Sequence, residues 1–349
     1  MPINNTNINF GVDLGLMTQL ESLGFYWVND DNKKVDPVEE LKRMGADTVR
    51  LRLFVNPPES AELNKAKDET CYLGYCNTRA VIDTALRVTR LGMKVMLDFH
   101  YSDFFADLFI QEPPESWKSE RFEDMCMSLY DYTVKTLAAF KDAGIYPEYV
   151  QTGNEINNGI LFPEGDIRRR PKQFVRLLNT GYDSVKKVFN ECMVVTHIAG
   201  LHRLDKCMSF FGTFFRNGGK TDVLGLSYFP YWVNVRHDKD VVLNNLNALA
   251  ELYDKPVMVC ETGGADDEAD ETYKLLYETA EAMIKVSDGM GKGVFYWEPE
   301  VNREALPDKY PLGACRLGSG KRLSFTKVMS AYRDVKLAYK KEDGHCESA

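Results

Sequence analysis

Short apolar, β-branched runs recur along the chain, and each is followed by a stretch whose apolar residues return every three to four positions. The runs are Ile8–Leu14, Thr48–Val55, Lys94–His100, Tyr149–Asn154, Met193–Ala199, Asp222–Phe229, Pro256–Glu261 and Gly293–Trp297. Between them, Arg121–Lys141 places Phe122, Met125, Cys126, Leu129, Thr133, Leu137 and Phe140 on one helical face. Asn77–Leu91 does the same through Val81, Ile82, Ala85, Leu86 and Val88, with Asn77 placed to cap the helix start. Gly45, Gly92 and Gly144 stand where a left-handed residue would end a helix before the next strand. Eight strand runs alternating with helical stretches, several of them ended by a glycine stop, predict an α/β protein built as a (β/α)8 TIM barrel. No GxGxxG follows any strand, which argues against a dinucleotide-binding sheet.

No Pro/Ser-rich linker divides the 349 residues, so a single domain over 1–349 is expected, with a polar N-terminus (1–7) and a charged tail from about 340 to 349 frayed. The net charge of −9 opposes nucleic acid and anionic membranes as partners and leaves a neutral substrate such as a sugar unhindered. No apolar run reaches the eighteen or so residues needed to span a membrane. The eight cysteines form no CxxC pair and are expected to be reduced and buried, with a Cys71–Cys76 bridge left open. The five histidines show neither HxH nor HExxH, so no metal and no cofactor are expected.

In such barrels the chemistry collects at the C-terminal ends of the strands. Here those ends carry Arg50 and Arg52, then Asp98 and His100, Asn154 and Glu155, His197, Ser227–Trp232, Glu261, and Tyr296–Glu298. The fourth and seventh runs each present a glutamate at the tip, Glu155 and Glu261. Strands four and seven of a barrel face one another across its mouth, and hydrolysis of a glycosidic bond with retention needs two carboxyl groups ~5–5.5 Å apart.

The segments GVDLGLMTQLESLG (Gly11–Gly24), VRLRLFVNP (Val49–Pro57), LDFHYSD (Leu97–Asp103), QTGNEINNGILFPEG (Gln151–Gly165), GLSYFPYW (Gly225–Trp232), ET (Glu261–Thr262) and FYWEPE (Phe295–Glu300) resemble glycoside hydrolase family 53, the endo-β-1,4-galactanases. The likeness runs from about Phe10 to Asn302. It implies a retaining hydrolase acting on β-1,4-galactan or its oligosaccharides. Glu155 would be the acid/base and Glu261 the nucleophile. Asn154 would bind the sugar 2-OH, Arg52 would hold Glu261 ionised, and Tyr228 would sit beside that nucleophile. His100 would line the cleavage subsite, and Trp297, with Trp232 farther out, would stack on sugar rings. It also implies secretion, whereas a native start at Met1 would imply a cytoplasmic enzyme.

Two departures from the family pattern stand out. Gly263-Gly264 follows the nucleophile, and a short acidic loop (Asp266, Asp267, Glu268, Asp270, Glu271) reads as a helix first turn rather than a calcium loop. Phe104-Phe105 stands where a tryptophan is usual. These changes touch subsites away from the bond broken, so another β-glycanase or an exo-acting β-galactosidase of the same clan stays open as the activity. A non-catalytic carbohydrate-binding barrel is the third reading, disfavoured because both glutamates are present.

Overall fold

A computed structural model describes residues 8–58, 61–64, 69–306 and 309–346, with the side chains of 61–64, 69–73 and 341–346 left aside. Eight strands make one closed sheet: β1 (Asn9–Asp13), β2 (Thr48–Leu53), β3 (Lys94–Phe99), β4 (Tyr149–Thr152), β5 (Met193–Ala199), β6 (Val223–Tyr228), β7 (Val257–Thr262) and β8 (Gly291–Tyr296). Their order, β1-β8-β7-β6-β5-β4-β3-β2, is the order of the chain closed on itself. The expected (β/α)8 barrel is therefore found, and each sequence run coincides with one strand to within two or three residues. By local contact density the chain divides into two compact units, Arg50–Ser227 and the flanking Met1–Val49 with Tyr228–Ala349.

In the central unit, β3, β4 and β5 pair in parallel, with Met96 and Met193 both opposite Tyr149. These strands are buried almost throughout, which is why they read as near-continuous apolar runs rather than as alternation. Four helices follow their strands: α2 (Thr78–Arg90), α3 (Phe122–Asp142), α4 (Pro171–Val188) and α5 (Leu204–Arg216). The Asn77 side chain accepts from the Ala80 N–H at 2.9 Å, as expected of the cap. Helix α3 buries Met125, Cys126, Leu129, Thr133, Leu137 and Phe140, the face the periodicity marked. Gly92 and Gly144 take the left-handed turn after their helices.

In the flanking unit, β1 and β7 pair in parallel with β8 on its two sides. Helices α1 (Pro37–Arg43), α6 (Lys239–Tyr253), α7 (Ala269–Lys285) and α8 (Ala331–Cys346) belong to it. Asp36 and Asp238 cap α1 and α6 by accepting from two backbone N–H groups each. The buried Tyr332 hydroxyl donates to the carbonyls of Gly11 (2.8 Å) and Val294 (3.1 Å), tying α8 to β1 and β8. Helix α8 runs on to Cys346, past the point near Lys340 where a frayed tail was expected.

Helix α7 begins at Ala269 rather than near Asp266, so only Asp270 and Glu271 of the acidic run lie in its first turn. Asp266 is instead a buried anchor for Arg303: it accepts from the Arg303 N–H at 3.0 Å and from its Nε at 2.6 Å, while Asp267 takes the Nη2 at 2.9 Å. One guanidinium thus pairs with two aspartates of this loop, a long-range pairing that local sequence does not reveal. Cys76, Cys126, Cys192, Cys207, Cys260 and Cys315 are buried, and burial pushes the Cys192 and Cys207 thiols up to about 12. The Cys71 side chain, and with it the question of a bridge to Cys76, lies outside the described residues.

Candidate active site

The tip of β4 leaves regular geometry in the span Gly153–Glu155. Gly153 has φ +91°, where a Cβ would come within 2.8 Å of Ile156 Cγ2, and Glu155 itself sits at φ +46°. A non-glycine residue held in the left-handed region is strained, and such strain collects where function fixes a side chain. Tyr101 after β3 and Glu298 after β8 share this conformation, at φ +51° and +50°. Within the central unit, Glu155 is half-buried, and desolvation pushes its carboxyl pKa upward. The Ser227 hydroxyl and the Leu108 N–H work against that rise, and Asp107 adds to it.

Behind Glu155 lies a dry polar network. Arg50 Nη2 pairs with Asp98 Oδ2 at 2.9 Å and donates to Asn154 Oδ1 at 3.0 Å. Gln151 Nε2 donates to Asp98 Oδ1 at 2.6 Å. Burial alone would raise the Asp98 carboxyl, but Arg50 and His100 outweigh it and hold the pKa at about 2. His197 uses Nε2 toward Ser227 Oγ at 2.8 Å and Nδ1 toward Asn154 Oδ1 at 2.9 Å. Burial and Arg50 drive its pKa well down, so the ring is neutral. A ring nitrogen of His197 and a carboxylate oxygen of Glu155 lie within 4.8 Å of each other, but both His197 nitrogens are committed to protein groups.

Asn154 is oriented on every side: Oδ1 accepts from Arg50 and Gln151, and Nδ2 donates to the Ala106 carbonyl at 2.9 Å. Its second amide N–H remains for another acceptor. His100 does not present a free edge. Nδ1 accepts from the Ala106 N–H at 2.9 Å, Nε2 lies 3.0 Å from Asp98, and the ring is 4 % exposed. These contacts tie it to Asp98 and to the Ala106 loop. Arg52 is buried with its guanidinium 4.7 Å from the centre of the Phe105 ring, so the altered Phe104-Phe105 pair still supplies an aromatic face at this point.

In the flanking unit, Glu261 is the fifth of six buried residues of β7. The ladder to β8 slips there: Val259 faces Val294 and Thr262 faces Tyr296, three steps on one strand against two on the other. A bulge at Cys260–Glu261 re-aims the side chains at the end of the strand, which is a common device beside active sites. Trp297 follows β8 half-buried, with the Tyr310 ring edge-on at 4.6 Å. Trp232 is exposed (54 %), packs edge-on against Tyr231 at 4.9 Å and lies 6.4 Å from Tyr310.

The Tyr228 hydroxyl meets His237 Nδ1 at 3.0 Å and the Asp238 N–H at 3.4 Å, at the start of α6.

Residues 9–336 match the family model described as glycosyl hydrolase family 53. The chain belongs to that family. It is a glycoside hydrolase, as the motifs implied. It is similar to the arabinogalactan endo-beta-1,4-galactanase of Cellvibrio japonicus, 33% identical over 85% of this chain and 81% of the relative. It is similar also to the endo-beta-1,4-galactanase of Bacillus subtilis, 30% identical over 83% and 69%. Among solved structures, the GH53 catalytic domain of Ignisphaera aggregans superposes with a TM-score of 0.81 over 96% of this chain and 97% of that one, at 24% identity, which speaks to the fold.

In this family 53 chain, the strand tips pointed to neither Gln151, which joins the buried network, nor Tyr310, which packs on Trp297. Gln151 carried a signal, a lone polar residue inside a buried strand. Tyr310, in a polar loop remote from any strand tip, carried none. Among the described residues no helix is long and apolar enough to cross a membrane.

Proposed function

We propose that this glycoside hydrolase cleaves β-1,4-galactan by double displacement, with Glu155 as general acid/base and Glu261 as nucleophile. The observation that carries this reading is the Glu155 carboxyl: it is half-buried, desolvation raises its pKa, and its backbone stands in the left-handed region at a strand tip. Such a group holds its proton at pH values where an ordinary carboxyl has lost it, as a general acid must. In the first step a Glu261 oxygen bonds to the sugar C1 as the glycosidic C1–O bond breaks, and the Glu155 proton goes to the leaving oxygen. In the second, Glu155 takes a proton from water, the water oxygen bonds to C1, and Glu261 leaves as carboxylate.

The remaining roles follow the chemistry of each group. Arg52 holds Glu261 ionised and oriented. Asn154 gives its remaining N–H to the 2-OH, a contact that strengthens in the transition state. Trp297 packs its indole face on the apolar C–H face of a galactose ring, and exposed Trp232 extends that platform. The chain works as a single catalytic domain. The substrate is galactan or galacto-oligosaccharide, and an enzyme that meets the polymer works outside the cell.

The test is product analysis on linear β-1,4-galactan with the native chain and Glu261→Ala. Oligosaccharides from the native chain alone support the reading, and their lengths report endo or exo action. Cleavage of mannan or a β-glucan with galactan untouched would overturn the substrate.

A further inference from the structure

The Tyr310 hydroxyl is buried and has no hydrogen-bond partner in the protein. Leaving such a group unsatisfied costs about 1–3 kcal/mol, so its retention asks for an explanation. Its ring stands edge-on to Trp297 at 4.6 Å and lies 6.4 Å from Trp232, between the half-buried and the exposed tryptophan. The neighbouring tyrosines already have partners. Tyr296 donates to the carbonyl of Leu312 at 2.8 Å, and Tyr228 is turned to His237. Burial raises the Tyr310 phenol pKa, and the negative charges of Glu298, Glu261 and Asp13 raise it further. The group is therefore held as an O–H donor in a region of buried carboxylates.

We propose that Tyr310 is a substrate-binding residue whose hydroxyl donates to a sugar hydroxyl of the unit stacked on Trp297. This rests on the glycan-hydrolase reading of the same site. It adds a hydrogen bond that neither the strand tips nor the motifs supply, delivered from the segment after β8. A donor that fixes one ring hydroxyl discriminates between sugars, since an epimer that moves that hydroxyl leaves the phenol unpaired again.

The experiment compares the native chain with Tyr310→Phe, which keeps the ring against Trp297 and removes only the oxygen. Steady-state kinetics are read on linear β-1,4-galactan, and thermal unfolding is read without ligand. The proposal expects kcat/KM to fall about 10-fold or more while Tm holds or rises, because a buried unsatisfied hydroxyl has gone. Unchanged kcat/KM overturns it. A fall in Tm together with activity also overturns it, because the oxygen is then structural. If the native chain cuts a different β-glycan and leaves galactan alone, the galactan reading fails by itself, and the same pair of proteins on the glycan that is cut decides for or against Tyr310.

Discussion

Replacing Asp98 with asparagine keeps the shape of the buried network and removes its negative charge. In the native chain Asp98 pairs with Arg50 at 2.9 Å and His100 at 3.0 Å, all three out of contact with water. Its carboxyl is held at about 2. Against an ordinary aspartate near 3.9, that depression corresponds to roughly 2–3 kcal/mol. The variant also leaves the Arg50 guanidinium buried without its counter-charge, so about 3–5 kcal/mol is expected at pH 7. At roughly 2.1 cal/mol/K per residue, the 349-residue chain unfolds with an entropy of about 0.7 kcal/mol/K, which converts the loss to a Tm drop of ~4–7 °C.

The pH dependence has a definite sign. A carboxyl depressed by folding stabilises above its unfolded pKa and loses that contribution as pH falls through the folded value. The gap between native chain and Asp98→Asn should therefore be full above about pH 5 and close toward about pH 2. Urea unfolding at several pH values reads it directly. A gap below about 1 kcal/mol at pH 7, or one that does not narrow in acid, would refute the argument that this pair organises the network.

Other consequences can be measured alongside. Glu155 has the opposite sign: its folded pKa is raised, so its charged form destabilises as pH rises through that value, and Glu155→Gln should raise Tm at neutral pH while removing most activity toward galactan. A Glu155→Gln protein less stable than the native one at pH 7 would count against the raised carboxyl. The kcat/KM profile of the native chain should keep its alkaline limb above the ordinary carboxylate range, read on an aryl glycoside or on galactan. Gly153→Ala puts a Cβ 2.8 Å from Ile156 at φ +91°, so about 1–3 kcal/mol of stability should be lost with a marked drop in kcat, because Glu155 rides on that turn. A fully active, fully stable Gly153→Ala would show that the turn can relax.

The barrel was legible because a parallel strand buried on both faces leaves an unmistakable apolar run, and because the cap at Asn77 and the glycine stops are local chemistry. Glu155 and Glu261 stand out for the same reason: each is a carboxylate at the tip of such a run. Legibility failed where direction or distance mattered. The Tyr228 hydroxyl turns to His237, nine residues on, a partner that the motif alone does not announce. His100 Nδ1 accepts from the backbone N–H of Ala106, six residues on, a contact that spacing alone does not announce. Asp266 looked like part of a helix start, and its true partner, Arg303, lies 37 positions away. Tyr310 belongs with Trp297 only through the path of an irregular loop.

The central claim is that Glu261 forms a covalent bond to the sugar while Glu155 supplies the proton. A 2-deoxy-2-fluoro-galactosyl donor with a good leaving group slows the second step and lets the intermediate accumulate, so peptide mass spectrometry after brief incubation reads the bond itself. The account predicts one fluorogalactosyl group on the peptide carrying Glu261, and none in Glu261→Ala. An adduct on Glu155 or on any other residue, or turnover of the same donor by Glu261→Ala at the native rate, would contradict it.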